Sequence, residues 1–380
     1  LNPKDENIFI LIGQVKIILG DSTGAIKILK KALDISDNKD EIYYQIGLAY
    51  QADKKFKKAS KYFKKAIECN LNHENALYDL AYCLEITGEL ENSIEYYKKF
   101  IDEDPYSEYA WFNLGNIYMK LDQFENAVEA FEFSIAIDEE YSSAYINISE
   151  ALIKLEKFDQ AKKYLERSLS LDGPSPEIYS CLGNVNFYLE DYSTSISFYQ
   201  KSIKIDQMFK ESYFGLGRSL SKLDKWFEAI HFFKKAYKID NKNIEYVKSL
   251  AYAEFKVGNL VSSIDLYSKA VEMQPDDYKL SLDFSLIYYE SGDIDKAIDI
   301  IDQAIEESPG ESLLYYRLVI YLMDAGRYKE SINVLESALS LNFDNHDVLF
   351  DFVPNFESQS ALIRVCLLYT SDAADERLSV

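Results

Sequence analysis

The sequence is poor in the residues that mark several common classes of site. Its 380 residues include only 3 His and 4 Cys, and no two His have the spacing of a helical metal pair, so we expect no zinc site. Gly and Pro are also scarce, at 14 and 7. No uninterrupted run of about 18 apolar residues occurs, so we expect no membrane-spanning helix.

Positive charge is in short supply as well. The chain carries 41 Lys and Arg against 64 Asp and Glu, which gives a net charge of −23. Phosphate binding needs clustered Lys and Arg, so this balance argues against a nucleic-acid partner and disfavours docking on anionic membranes. Because 48% of the residues are hydrophobic, the chain is expected to fold.

Motifs for catalysis and for cofactors are missing. Gly215-Leu216-Gly217-Arg218 lacks the third glycine of a dinucleotide fingerprint, and no phosphate loop or calcium loop occurs. Cys69, Cys83 and Cys181 form no CxxC pair, which is typical of packing residues in a reducing compartment. The carboxylates are spread as expected for solvated helix faces. We predict a non-enzyme without a cofactor or a metal.

A 34-residue period dominates the sequence. One row of small residues comprises Gly13, Gly47, Ala81, Gly115, Ser149, Gly183, Gly217, Ala251, Ser285 and Val319. A second row, twelve positions later, comprises Ala25, Ala59, Ser93, Ala127, Ala161, Ser195, Ala229, Ser263, Ala297 and Ser331. The register holds over residues 6–345 without an insertion, so repeat architecture is expected rather than separate globular domains.

Each 34-residue repeat has the apolar period of two helices. In the repeat that begins at Glu108, Trp111, Leu114 and Tyr118 share one helical face. A second amphipathic segment follows, with Phe124, Ala127, Val128, Phe131 and Ile135. Turn residues separate the two segments at one fixed place: Gly88, Asp122, Asp224, Gly258, Gly292 and Gly326.

These residues resemble the tetratricopeptide repeat (TPR) family, through Trp111-x2-Leu114-Gly115-x2-Tyr118, Ala127 and Phe131. The resemblance implies an all-α fold, a right-handed superhelical solenoid of antiparallel helix pairs with about ten units. It further implies a concave groove lined by the first helix of each pair. Phe100 and Val319 depart from the small residues expected at their positions.

The pattern divides the chain into four segments. Residues 1–5 are interpreted as the tail of a lost preceding repeat, 6–345 as ten TPR units, and 346–365 as a partial eleventh unit or capping helix. Residues 366–380 do not continue the repeat and resemble a translated sequencing adapter. We therefore expect a chain truncated at both ends, with self-association through its uncapped ends.

The resemblance assigns positions 2, 5, 6, 9, 12 and 13 of each first helix to the groove, and three groups of residues there are candidate peptide ligands. The polar row comprises Asp79, Asn113 and Asn147 at position 6 and Asn116 and Asn184 at position 9. The aromatic group comprises Tyr78, Tyr82, Phe112 and Phe187, for which partial burial between helices is the alternative. The basic group comprises Arg218, Lys222 and Lys248, with Lys256 at a related position. It could receive an acidic peptide stretch, and a solvated, locally paired face is the alternative. An Asn amide matches the backbone of an extended peptide, since it both donates and accepts; hydrogen bonding between adjacent helices is the alternative for this row.

One known groove chemistry of the family is not expected. Its carboxylate clamp needs Lys at position 5 and Asn at position 9. Asn116 and Asn184 match, but Phe112 and Ser180 occupy the Lys positions.

We predict a non-catalytic scaffold that binds a protein or peptide partner in its groove. Two alternatives remain open: the regulatory half of a larger enzyme or signalling protein whose N-terminal domain is missing, and an envelope assembly factor. The free cysteines favour a cytoplasmic location, and the Ile-, Lys- and Asn-rich composition is compatible with an AT-rich bacterial genome.

Overall fold

The computed structural model describes residues 6–37, 39–342 and 344–345. In these residues it contains twenty α-helices and no β-strand. The expected all-α class and the helix-pair architecture are therefore confirmed. The expected capping helix in 346–365, the adapter-like segment 366–380 and residues 1–5 lie outside the described residues.

The helices form two compact units, residues 1–191 and 192–380. The first unit contains α1 Glu6–Ile18, α2 Ser22–Leu33, α3 Asp40–Ala52, α4 Phe56–Cys69, α5 Glu74–Thr87, α6 Leu90–Glu103, α7 Glu108–Lys120, α8 Phe124–Ile137, α9 Ser142–Lys154, α10 Phe158–Asp172 and α11 Pro176–Tyr188.

The second unit contains the remaining nine helices of the described chain. They are α12 Tyr192–Ile205, α13 Lys210–Lys222, α14 Trp226–Ile239, α15 Ile244–Lys256, α16 Leu260–Met273, α17 Tyr278–Glu290, α18 Ile294–Glu307, α19 Ser312–Asp324 and α20 Tyr328–Leu341. Within each unit, every helix packs against the next one in sequence.

The first helices of the ten repeats begin 34 residues apart, from Glu6 to Ser312. Caps fix some of these starts: the Ser175 hydroxyl accepts a hydrogen bond from the Ile178 N–H at 3.1 Å, and Asn243 does the same for the Tyr246 N–H at 3.3 Å. Residues such as these satisfy backbone donors that the first turn leaves without a helical partner.

Positions are counted here from the first residue of each repeat, so that Glu6 and Glu108 are both at position 1. The turn between the two helices of a repeat requires a residue with left-handed backbone conformation at position 15. Gly occupies this position in five of the turns and has a positive φ there, as in Gly88 with φ 83° and Gly258 with φ 81°. The other five turns use Lys54, Asp122, Glu156, Glu190 and Asp224, all with φ between 54° and 61°. The turn geometry is therefore kept even where a side chain makes it costly.

The two helices of a repeat approach closely where position 8 meets position 24. A Cβ added to Gly115 would lie 2.6 Å from Cε1 of Phe131, and one added to Gly217 would lie 2.6 Å from Cε1 of Phe233. Both rings are buried. The row of small residues thus has a packing cause, since an aromatic ring fills the volume that a side chain would take.

Position 20 is small for a related reason. The Ser93 hydroxyl donates to the Ala81 carbonyl at 2.7 Å, and the Ser263 hydroxyl donates to the Ala251 carbonyl at 2.8 Å. Both serines are fully buried and each bonds across its own helix pair. A small residue here lets the backbones approach, and serine keeps its hydroxyl satisfied.

Helix α1 exposes an apolar face. Leu11 is 60% exposed, Val15 54% and Ile18 83%. The sequence predicts an exposed apolar surface at the front of the repeat array, and α1 has one. Self-association through it stays a prediction.

Candidate functional site

The polar row at position 6 is hydrogen-bonded to the preceding repeat. The Asn113 amide donates through Nδ2 to the Tyr78 hydroxyl at 2.9 Å, and the Asn147 amide donates through Nδ2 to Asn116 Oδ1 at 2.7 Å. Asp79 accepts from the Tyr44 hydroxyl at 2.9 Å. These side chains connect α3 to α5, α5 to α7, and α7 to α9.

Bonding between adjacent helices is the alternative interpretation of this row, and the structure shows such bonds at all three positions. An Asn amide has two N–H donors, so one N–H of Asn113 and one of Asn147 lie outside these particular bonds. Peptide binding by the polar row therefore stays a prediction, and the same residues help to stack the repeats.

The aromatic residues of the first unit sit against neighbouring rings. Tyr78 contacts Tyr97 and Phe100 in T-shaped arrangements, with centroids 5.6 and 5.3 Å apart. Phe112 lies 4.9 Å from the ring of Tyr141, and Tyr82 packs edge-on against Phe56.

Tyr78, Tyr82 and Phe112 are half-buried. Each therefore combines a packing role with some accessible surface.

Asn184 and Phe187 lie on α11, the last helix of the first unit. The Phe187 ring contacts the neighbouring Tyr188 ring edge-on, with centroids 5.6 Å apart. They occupy positions 9 and 12 of their repeat, and position 6 of that repeat is Cys181. The polar row at position 6 therefore ends at Asn147 on α9.

The three basic residues come together. Arg218, Lys222 and Lys248 all line one cavity of about 490 Å³ in the second unit. Its walls come from the five consecutive helices α13 to α17. The remaining lining residues are Ser221, Trp226, Phe233, Glu245, Ser249, Tyr252, Tyr267 and Asp283.

Aromatic rings hold part of this cavity in shape. Trp226 and Tyr252 meet in a T-shaped contact, with centroids 5.6 Å apart. Arg218 lies over the Phe214 ring at 5.9 Å, and Lys256 lies over Tyr252 at 5.1 Å. The cations are thus placed beside apolar surface, where their charge interacts with the rings.

The cavity contains two carboxylates besides its three cations. Lys248 lies 3.6 Å from Glu245, a loose ion pair one helical turn away. Loss of solvent raises the pKa of Asp283, and the charges of Lys248 and Arg317 oppose that rise. The positive charges outnumber the negative ones, in contrast to the chain as a whole.

The sequence reasoning misses Trp226, Tyr252 and Asp283. Tyr252 and Asp283 occupy positions 9 and 6 of their repeats, so the groove rows could have indicated them. Trp226 begins a second helix, α14, and no groove row includes it.

Other kinds of site are not found in the described residues. They contain no group of three or more His, Cys, Asp or Glu that could hold a metal ion. Cys83 and Cys181 are buried free thiols, Cys69 is exposed, and burial raises the pKa of Cys83 to about 12. No helix in the same part of the chain is both long and apolar enough to cross a bilayer.

Comparisons with known proteins agree with the geometry. Sequence profiles of the tetratricopeptide repeat match residues 7–39, 44–108, 108–141, 142–174, 254–319 and 313–345. No curated protein matches the chain.

A solved structure shares the fold. A tetratricopeptide repeat protein from Parabacteroides merdae has a TM-score of 0.52 at 16% identity, over 65% of this chain and 98% of its own. YrrB, described as a TPR protein with an unusual peptide-binding site, has a TM-score of 0.36 at 19% identity, over 48% of this chain and 95% of its own.

Repeat profiles thus match most of residues 7–345, and the helix pairs follow the same period. Repeats of this kind support a protein-interaction scaffold. The chain belongs to the tetratricopeptide repeat family.

Proposed function

We propose that the protein binds an extended peptide segment with acidic residues, and that the cavity of Arg218, Lys222 and Lys248 receives it. The observation that carries this proposal is the convergence of three cations on one aromatic-lined cavity of about 490 Å³. In a chain of net charge −23, such a site stands out from a surface that repels acidic ligands.

The cations supply selectivity and orientation rather than most of the affinity. Exposed ion pairs contribute about 0.2–1 kcal/mol each, while complementary charges raise association rates and exclude wrong partners. Arg218 can bind a carboxylate through two parallel N–H bonds, which Lys222 and Lys248 cannot do.

The rings supply the apolar anchor. Tyr252 is 41% exposed and borders Trp226, and aromatic residues in partly desolvated pockets dominate interface energies. We therefore expect a ligand in which acidic residues flank one apolar or aromatic side chain.

A peptide-display selection on the full chain tests this proposal. We expect a consensus with acidic residues around an apolar position. The double variant Lys222→Gln/Lys248→Gln should lose it. The matched control Lys57→Gln/Lys61→Gln removes the same charge from exposed residues of α4 and should keep it.

The outcomes separate the candidate surfaces. A consensus without acidic residues, or one retained by Lys222→Gln/Lys248→Gln, would overturn the assignment to this cavity. A consensus lost only in Asn113→Ala/Asn147→Ala would transfer recognition to the polar row of the first unit.

A further inference from the structure

A polar cluster in the first unit has the opposite chemistry and centres on Asp79. This carboxylate is on α5 and faces α3. Its Oδ2 accepts from the Tyr44 hydroxyl at 2.9 Å, and its Oδ1 accepts from Gln51 Nε2 at 3.4 Å. Asp79 is half-buried, and no Lys or Arg of the described chain lies within ion-pair distance of it.

The nearest positive influence comes from His73, which is engaged elsewhere. His73 Nε2 lies 3.7 Å from Glu41 Oε2, and Nδ1 accepts a hydrogen bond from the Ala76 N–H. Burial raises the pKa of Asp79, and hydrogen bonds from Tyr44 and Gln51 only partly oppose this rise. The carboxylate is thus hydrogen-bonded but not neutralised by a basic side chain.

The same cluster has one buried acceptor without a donor. Within the described residues, Gln51 Oε1 has no hydrogen-bond partner. The amide nitrogen of Gln51 must face Asp79, because the reversed amide would place its oxygen against the carboxylate. Its unpartnered oxygen therefore belongs to the same cluster.

The chain contains its own comparison for this arrangement. Asp283 occupies position 6 of its repeat, as Asp79 does, and Lys248 stands one repeat earlier at position 5, where Asp79 has Tyr44. Burial raises the pKa of Asp283, and the charge of Lys248 opposes that rise. Asp283 is thus supplied with a cation from within the chain, and Asp79 is not.

The cluster suits a ligand of definite chemistry. Its negative charge and unsatisfied acceptor favour a ligand that brings positive charge and several N–H donors. Tyr44, Tyr78 and Tyr82 lie on the groove rows of α3 and α5 and are half-buried, so an inserted cation would also meet aromatic surface.

We propose that Asp79, Gln51 and Tyr44 form a subsite for a Lys or Arg side chain of the bound peptide. Arg fits it better, because its guanidinium has five donors in a fixed plane and is more weakly hydrated. This inference rests on the proposed function, in that it takes the ligand to be a peptide in the groove.

The test uses the full chain and the variant Asp79→Asn. This change removes the charge and keeps an oxygen that can accept from Tyr44. The matched control is Asp299→Asn, the same change at an exposed residue of α18 that lies outside both candidate sites. Display selections on the three proteins are compared, followed by titration with the selected peptide and with a version in which citrulline or norleucine replaces its basic residue.

We expect one basic position in the wild-type consensus that Asp299→Asn keeps and Asp79→Asn loses. Replacing the basic residue should weaken binding to the wild type at least about tenfold, as for a charge pair removed from a partly desolvated site. The same replacement should change binding to Asp79→Asn less than about twofold.

Stability of the ligand-free chain separates recognition from a structural role. We expect the urea midpoint of Asp79→Asn to equal or exceed that of the wild type, because the variant removes an unneutralised buried charge. A clear fall in the midpoint, or a basic preference unchanged in Asp79→Asn, would overturn the subsite.

Failure of the two proposals is distinguishable. Acidic positions lost in Lys222→Gln/Lys248→Gln, without any basic position, would leave the proposed function standing and overturn the subsite. A basic position lost in Asp79→Asn, without acidic ones, would do the reverse. The absence of any consensus would overturn both.

Discussion

A methyl group added at Gly115 should test the packing rule inside a repeat. Gly115 is on α7, and its Cβ would lie 2.6, 2.7 and 2.9 Å from Cε1, Cδ1 and Cζ of Phe131. Phe131 is on α8 and is fully buried. The substitution Gly115→Ala therefore requires the ring or a helix to shift.

Two effects of opposite sign decide the size of the change. Overpacking of a filled core costs about 1–3 kcal/mol, and replacing Gly by Ala inside a helix stabilises it by about 0.5–1 kcal/mol. Two other repeats combine Ala with a Tyr ring, Ala81 with Tyr97 and Ala251 with Tyr267, so the shift is feasible. We expect a net destabilisation of about 1 kcal/mol.

The sign should reverse when the ring is removed. Leu is too large for this purpose, since a Cβ added to Gly13 would lie 2.7 Å from Cδ2 of Leu29 at the same two repeat positions. Phe131→Ala removes the atoms that the new methyl group meets, so Gly115→Ala should stabilise this variant by about 0.5–1 kcal/mol through helix propensity. The coupling between the two sites would then be about 1.5–2 kcal/mol, within the range found for residues in contact.

Urea unfolding of the four proteins of this cycle, followed by circular dichroism, measures the coupling. Gly310→Ala is the control, because nothing lies within 4 Å of a Cβ added there and Gly310 has no positive φ. It should be neutral or slightly stabilising. Equal effects of Gly115→Ala in the wild-type chain and in the Phe131→Ala variant would refute the rule.

Further predictions concern the turns and one polar contact. Glu156→Gly should raise stability by about 0.5–1 kcal/mol, because Glu156 has φ 58° and Gly adopts this conformation freely. Gly258→Ala, at the same repeat position, should lower stability. Urea unfolding midpoints check both predictions. Hydrogen bonding to Glu41 raises the pKa of His73, and the same bond lowers the pKa of Glu41. The His73 contribution is present below its ordinary pKa of 6.5 and is lost as pH rises through its raised value, while that of Glu41 is lost as pH falls through its lowered value. The stability advantage of the wild type over Glu41→Gln should therefore be greatest between about pH 4.5 and 6.5 and shrink above this range. A difference in the free energy of unfolding that stays constant from about pH 5 to 8 would contradict this.

The sequence indicated the fold because packing between helices restricts the size of the residue at fixed positions of the 34-residue period. Small residues at positions 8 and 20, such as Gly115 and Ser93, recur where helix backbones approach, and each first helix begins where the period places it. A helix pair cannot bury its own apolar face, so the period also predicts stacking on neighbours.

The candidate site could be predicted only as rows of positions. Arg218, Lys222 and Lys248 are grouped by repeat position, and the structure brings all three to one cavity. Trp226 is missed because it comes from a second helix. Whether Asn113 faces a ligand or Tyr78 depends on its side-chain torsions, which a position in a repeat does not specify.

By itself, then, the sequence determined the helix pairs and their register, because backbone approach restricts residue size at fixed positions. Only the tertiary structure decided which polar groups pair and which lack partners. Tyr44 and Asp79, 35 residues apart, become neighbours through the stacking of two repeats. The acceptor that remains unsatisfied beside them, Gln51 Oε1, follows from that geometry rather than from any local pattern.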